Sequence, residues 1–262
     1  MKIVAVRKLF CVGGAVLAFV ASAFAQPAGP SPALPPSFAV LSLVGDQFSV
    51  VFRRDESRTR LDPNSRREYP VATATFDDMA IDAVEEVIKR LKPVSPVLRF
   101  SIRDPRLFAL QDKLLVDGGD SRGVREALAK LLRDNAATRL VLVTKWRDDA
   151  QFKIVEGSMG SGKISGLGFF VDTFTRLHTT RTGEATTGFL GPFAYVNVTV
   201  VDAATMSPVR SMHARESDMQ LPLNATGAVH AWDALTPEGK VEALERVLRR
   251  AVTSATTAAL AD

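Results

Sequence analysis

Cysteine and histidine are both scarce in this chain of 262 residues. There is one cysteine, Cys11, and there are three histidines, His178, His213 and His230. No two histidines have the spacing of about three to five residues that is typical of a zinc site, so we predict no metal site. Cys11 lies in an N-terminal segment that we expect to be removed. The remaining chain then has no thiol for a disulfide, a nucleophile or a metal ligand.

The chain also lacks a strong excess of charge and any internal repeat. Lys and Arg number 33 against 29 Asp and Glu, and 46% of the residues are hydrophobic, which is typical of a globular protein. The N-terminal segment carries three of the basic residues and no acidic residue, which leaves 30 against 29. A nucleic-acid-binding protein normally concentrates positive charge, so we expect no nucleic-acid partner.

Residues 1–25 have the three parts of an export signal. A positively charged start is followed by an apolar run over 9–20, and Ala23–Ala25 has the small-x-small pattern of a cleavage site. We predict a signal peptide that is cleaved after Ala25 and a protein located in the periplasm, with secretion into the medium as the alternative. An uncleaved anchor is a further alternative, although the apolar run is short for a membrane span.

The remaining chain is predicted to consist of a linker and one domain. Residues 26–37 contain five prolines and favour an extended linker. Residues 38–262 then alternate strand and helix patterns and end on a helix. We therefore expect a single domain of the α/β (α+β) class, with a mixed sheet of about five to seven strands, helices packed on it and a C-terminal helix.

Local patterns place several elements of this domain. Apolar periodicity predicts a helix that Thr75 caps and Pro93 ends, and Asp104 can begin a short helical segment. Thr236, followed by a proline, has the pattern of a helix N-terminus. Residues 195–214 alternate apolar and polar side chains on either side of a turn, which predicts a β-hairpin.

Three polar stretches, at 53–68, 156–168 and 176–191, are predicted to be loops. The first interleaves six arginines with four acidic residues, which favours an ordinary exposed loop; a surface for an anionic partner is the alternative. The second contains Gly157–Lys163, which fits the pattern G-x-x-x-x-G-K. The next residue is Ile164 where a nucleotide site needs Ser or Thr, so we interpret this segment as a flexible loop and predict no cofactor.

The segment 167–193 holds five phenylalanines interleaved with Gly and Thr: Phe169, Phe170, Phe174, Phe189 and Phe193. One interpretation is a hairpin that docks on a partner or makes a peripheral contact with a membrane. The alternative is two core strands joined by a long loop. A third hypothesis is insertion of this segment into a membrane after the chain has formed a homo-oligomer.

The order of elements, together with the hairpin Ala194–Ser211, resembles a small α/β domain of bacterial envelope accessory proteins. These are the curli-secretion-pore type, the penicillin-binding-protein activator type and the N-terminal domain of TolB. The hairpin contains Val201-Asp202 as in those proteins, but Met206-Ser207 stands where a glycine turn is expected, and the lipidated cysteine is missing. The resemblance implies a role in envelope assembly through protein contacts, and it supplies no catalytic residue.

Two functional hypotheses follow. The first is an exported envelope accessory protein that binds an envelope protein or a second copy of itself and is not an enzyme, since no acid–base or nucleophile constellation is recognisable. The second is a periplasmic hydrolase or small-ligand-binding protein whose site is built from loop residues, with Asp172, His178 and Arg181 as candidates. A deep pocket lined by these side chains would favour the second hypothesis.

Overall fold

The computed structural model describes residues 35–54, 64–116, 119–155, 157–178, 183–224, 227–228 and 230–261. The predicted signal peptide and the first nine residues of the predicted linker lie outside these residues, as does Arg181. Export and cleavage therefore stay predictions. The folded part begins just before the first strand, where residues 35–37 have no regular structure.

The described residues form strands and helices whose bounds are as follows. The strands are β1 Phe38–Ser42, β2 Gln47–Phe52, β3 Ser65–Pro70, β4 Val97–Phe100, β5 Arg139–Lys145, β6 Arg147–Asp149, β7 Phe152–Ile154, β8 Gly157–Met159, β9 Lys163–His178, β10 Ala185–Asp202, β11 Ser207–Ser217, β12 Leu223–Asn224 and β13 Gly227–Ala228. The helices are α1 Thr75–Leu91, α2 Pro105–Ala109, α3 Arg122–Asp134 and α4 Pro237–Leu260, with short 3₁₀ turns at Gln111–Lys113, Gly119–Ser121 and Ala231–Ala234.

Nine of these strands form one mixed sheet, and the fold belongs to the α+β class as predicted. The strand order is β3-β2-β9-β10-β5-β1-β4, with β11 paired to β10 and β6 paired to β9. β1 runs parallel to β4 and β5, and β2 runs parallel to β9. The pairs of β10 with β5, β9 and β11 are antiparallel.

The predicted count of five to seven strands was too low, and parts of all three predicted loops are strands. β3 takes up the end of the 53–68 segment, β8 and the start of β9 take up most of 157–168, and β9 and β10 extend through much of 176–191. These segments are rich in Arg, Gly or Thr. They are paired through backbone hydrogen bonds and lack the apolar alternation that marks a half-buried strand in a sequence.

Helices cover both faces of the sheet. α1 and α4 pack on one face, where their apolar side chains form a cluster with residues of β2, β9 and β10. α2 and α3 pack on the other face against β1 and β5. The rest of that second face, over β9 and β10, carries an aromatic cluster that includes Phe152 of β7.

Two of the predicted helix starts are confirmed. Thr236 accepts a hydrogen bond from the Gly239 backbone N–H, at 3.1 Å from Oγ1, and so caps α4. Asp104 accepts from the Arg106 N–H and caps α2. The cap predicted for α1 was wrong, because Thr75 is the first helical residue and the capping position is Ala74, which has no side-chain hydrogen bond.

A buried carboxylate joins the end of β1 to the start of α1. Asp77 is 4% exposed, and its Oδ1 accepts hydrogen bonds from the Ser42 hydroxyl at 2.7 Å and from the N–H groups of Val44 and Gly45 at 3.0 Å each. Gly45 approaches so closely that a Cβ there would lie 2.7 Å from the Asp77 nitrogen. The β1–β2 turn is therefore held by one acid of the first turn of α1.

Candidate functional site

β9 and β10 are the two longest strands, and they extend past the rest of the sheet. They are 16 and 18 residues long, but β2 pairs only with residues 168–171 of β9. Beyond Asp172 the two strands continue as a two-stranded ribbon whose described end comprises residues 173–178 and 185–187. We call these residues the ribbon tip.

A β-bulge marks the place where the ribbon leaves the sheet. The register between β9 and β10 shifts between Thr187 and Phe189. Gly188, at this shift, has φ +82°, and a Cβ there would lie 2.3 Å from the carbonyl oxygen of Asp172. A bulge bends the strand that carries it, so Gly188 fixes the direction in which the ribbon tip leaves the sheet.

Asp172, on β9, also holds the place where the ribbon leaves the sheet. Its side chain is buried, and Oδ2 accepts from Arg53 Nη1 and from the Thr175 hydroxyl, at 2.7 Å each. Oδ1 accepts from the N–H groups of Phe174 and Thr175 at 2.8 Å each. Burial by itself would raise the pKa of Asp172, but these hydrogen bonds outweigh it and the pKa is lowered. The carboxylate is therefore a charged structural acceptor, poorly suited to take up a proton at neutral pH.

Four of the five phenylalanines of the 167–193 segment are core residues. Phe169 packs against Trp232 and Phe48 on the α1/α4 face. Phe170, Phe189 and Phe193 lie in the aromatic cluster of the opposite face, and none of the four is more than 1% exposed. Their burial agrees with the core-strand alternative. Phe174, at the ribbon tip, is 43% exposed, so a partner or membrane contact by this segment stays a prediction that now depends on Phe174.

Of the residues proposed for a loop-built site, the structure describes two, and it does not bring these two together. Asp172 and His178 lie on the same strand, six positions apart, so about 20 Å of extended chain separates them. Arg181 lies outside the described residues. Asp172 is also engaged by Arg53, an arginine that the sequence analysis assigned to an exposed loop. No local pattern pointed to this pair, since the two residues are 119 positions apart.

The glycine-rich segment forms a strand-to-strand connection. Gly157 begins β8, Gly160 and Gly162 have positive φ, and Lys163 begins β9. A phosphate-binding loop of the G-x-x-x-x-G-K type presents its ligand to the N-terminus of the helix that follows it. At this place a strand follows, which argues against a nucleotide site, but the predicted flexible loop is largely paired in β8 and β9.

The three histidines lie apart from one another. His213 stacks on Trp146 with ring centroids 4.1 Å apart, and His230 Nδ1 accepts from the Trp232 N–H at 3.2 Å. His178 is exposed at the end of β9. Among the described residues there is no cluster of three or more His, Cys, Asp or Glu arranged for a metal ion. The same residues include no helix with the length and apolar character needed to cross a membrane.

Comparison with known proteins assigns no family to the chain. No protein-family model matches it, and no curated protein sequence matches it either. Similar solved structures include PelC from Paraburkholderia phytofirmans, described as a dodecamer, at 10% identity and a TM-score of 0.32, covering 90% of this chain and 95% of that one.

Two further structures are similar at the same level. One is a DUF330 protein from Xanthomonas campestris, at 11% identity and a TM-score of 0.33, with 88% of this chain and 85% of that one covered. The other is a putative neuraminyllactose-binding hemagglutinin homolog from Helicobacter pylori, at 7% identity and a TM-score of 0.36, with 86% of each chain covered. Similarities with TM-scores this low assign neither fold nor function to this chain.

Proposed function

We propose that this chain is an exported cell-envelope accessory protein that binds another envelope protein through the ribbon tip and catalyses no reaction. The observation that carries the proposal is the ribbon itself. It extends past the sheet, its direction is fixed by the Asp172–Arg53 pair and the Gly188 bulge, and it presents an exposed aromatic ring, Phe174. Exposed aromatic side chains on a rigid support are typical anchors of protein interfaces.

The predicted signal peptide supports the cellular part of this proposal, since a cleaved export signal directs the chain out of the cytoplasm. The resemblance of the hairpin at 194–211 to envelope accessory domains implies the same kind of role. The loop-built site of the alternative hypothesis has less support, because Asp172 and His178 are held apart on one strand and Asp172 is occupied by four hydrogen-bond donors.

Photocrosslinking from position 174 tests the contact directly. A photoreactive phenylalanine analogue replaces Phe174 in the native organism, and the matched control carries the analogue at Val94, which is 75% exposed between α1 and β4. We expect a protein adduct from position 174 that position 94 does not give. An adduct with the mass of two chains would identify a homo-oligomer as the partner, and an adduct with lipid alone would favour a membrane contact. The absence of any specific adduct would contradict the proposal.

Fractionation tests the export step separately. Cells that produce the chain with a C-terminal tag are divided into periplasm, membranes and medium, and the mass of the mature N-terminus is measured. We expect a periplasmic protein that begins at Gln26. A chain that still begins at Met1 and stays with the membrane would show that the apolar run is an anchor.

A further inference from the structure

A polar hollow lies away from the ribbon tip, among residues of β2, β3, β5, β6 and β9. It has a volume of about 230 Å³ and is lined by Gln47 and Ser49 of β2, Arg66 and Glu68 of β3, Lys145 of β5, Arg147 of β6, and Ser165 and Leu167 of β9. Five separate strands thus contribute to one concave surface. A second hollow of about 500 Å³ adjoins it and shares the side chains of Gln47 and Lys145.

Positive charge predominates in the smaller hollow. Three cationic side chains, Arg66, Lys145 and Arg147, line it together with one carboxylate, Glu68, and a second carboxylate, Asp46, pairs with Lys145. The Gln47 amide already donates to Glu68, at 3.1 Å between Nε2 and Oε2. A group with two negative charges, such as a phosphate, would therefore match the lining better than a neutral ligand or a cation.

The cations are held in place by the fold. Arg66 Nη2 donates to the Lys163 carbonyl oxygen at 2.6 Å, which uses one of the five guanidinium N–H donors. Lys145 Nζ lies 2.5 Å from Asp46 Oδ1, and its side chain is only 16% exposed. Asp46 therefore balances part of the charge of Lys145. Because both side chains are restricted, they lose less conformational entropy when a ligand binds.

A buried hydroxyl lies at the floor of the hollow. Ser49 is 8% exposed, and its Oγ has no hydrogen-bond partner among the described residues. The neighbouring Gly168 allows β9 to pack tightly here, since a Cβ at that position would lie 2.1 Å from the Ser49 carbonyl oxygen. A buried hydroxyl without a partner costs free energy, which a hydrogen bond to a bound ligand would recover.

We infer that this hollow binds a phosphate group, with Lys145, Arg66 and Arg147 supplying the charge and Ser49 a hydroxyl donor. Two sources share this chemistry: a free phosphate compound and the headgroup of a lipid. The inference is independent of the partner contact proposed for the ribbon tip, because the two surfaces share no residue.

The test uses the mature chain and two probes, inorganic phosphate and vesicles that contain phosphatidic acid. Calorimetry measures phosphate binding, and sedimentation with vesicles measures lipid binding against vesicles of phosphatidylcholine alone. The variants are Lys145→Met and Ser49→Ala. The matched control is Lys153→Met, which removes an exposed lysine of β7 outside the hollow.

We expect Lys145→Met and Ser49→Ala to weaken binding of the effective probe by about tenfold or more, since each removes a donor to a charged group. Lys153→Met should leave the affinity within about twofold. Ser49→Ala keeps the test decisive if Lys145→Met fails to fold, because removal of an unpartnered hydroxyl should not lower the melting temperature. Phosphate binding without vesicle binding identifies a soluble ligand, and the reverse identifies a headgroup. Binding of neither probe, or equal binding by all three variants, would overturn the inference.

Discussion

Arg53 and Asp172 form an ion pair, with 2.7 Å between Nη1 and Oδ2, at the point where the β9–β10 ribbon leaves the sheet. The aspartate is almost completely buried, whereas 34% of the arginine side chain is exposed. Thr175 binds both partners through its hydroxyl, so the pair belongs to a small network. Because the network connects the end of β2 to the β9 side of the bulge, it determines how the ribbon tip is presented.

Asp172→Asn should destabilise the protein and reduce its sensitivity to acid. The amide loses the charge that strengthens the bonds from Arg53 and Thr175, so we expect the free energy of unfolding at pH 7 to fall by about 1–3 kcal/mol. The folded-state pKa of Asp172 lies below its ordinary value of 3.8. The contribution of the ionised Asp172 to the free energy of unfolding is therefore complete above about pH 4. It is lost as the pH falls through the lowered pKa.

Urea unfolding at pH 7 and near pH 3 measures this difference. The difference between the parent and Asp172→Asn should shrink at the lower pH. The control is Asp134→Asn, which removes an exposed pair with Lys130 and should change the free energy by less than about 0.5 kcal/mol. A constant difference at both pH values would show that Asp172 acts through packing and not through its charge.

Asp77 gives the free energy of unfolding the opposite dependence on pH. Burial raises its pKa above 3.8 and outweighs the hydrogen bonds from Ser42, Gly45 and Val44. The folded state then binds the proton more tightly than the unfolded state, so stability falls as the pH rises from about 4 through the raised pKa. Asp77→Asn keeps an oxygen acceptor without the charge and should be at least as stable as the parent at pH 7.

Asp77→Ala separates hydrogen bonding from charge at this position. Three buried donors lose their common acceptor, so we expect a loss of about 3 kcal/mol. Thermal unfolding at pH 7 of the parent and both variants shows which of the three proteins is most stable and which is least stable. An Asn variant as unstable as the Ala variant would show that the charge of Asp77 is required.

Ala136→Gly should stabilise the protein. Ala136 follows the end of α3 with φ +52°, and the bonds from its N–H to Arg133 and from the Ala137 N–H to Leu132 form a Schellman motif. The left-handed conformation strains an alanine, and the residue is exposed, so glycine should add about 0.5–1 kcal/mol. Ala127→Gly, the same change at an exposed position inside α3, should cost about 1 kcal/mol. Denaturant midpoints that shift in the same direction would contradict this argument.

The elements that could be predicted from the sequence are those with local determinants. Thr236 and Asp104 cap their helices as predicted, and the β10–β11 hairpin follows from its alternation. The turn of that hairpin contains Met206 at φ +55°, where the resemblance to envelope accessory domains implies a glycine. Met206 is 3% exposed, so burial of its side chain stabilises a turn for which the local pattern favoured glycine.

The candidate site could be predicted only in part, because the exposure of a side chain depends on elements that are distant in the sequence. Phe170 and Phe174 lie four positions apart on one strand, yet the aromatic cluster around Phe152 covers the first, and the second lies past the end of the sheet. The Arg53–Asp172 pair and the polar hollow likewise join residues far apart in sequence. Periodicity describes one element at a time and cannot show which elements meet.

Phe189→Ala and Phe174→Ala should separate the two roles that the phenylalanine-rich segment combines. Phe189 is completely buried and touches Phe152 and Phe170, so its removal should cost about 3–5 kcal/mol. Phe174 is exposed, and its removal should change the free energy of unfolding by less than about 1 kcal/mol. Chemical denaturation measures both values. If Phe174→Ala is as stable as the parent but loses co-purification with its crosslinked partner, the ring acts in recognition. A loss of stability as large as that of Phe189→Ala would assign Phe174 to the core and leave the ribbon tip without its proposed anchor.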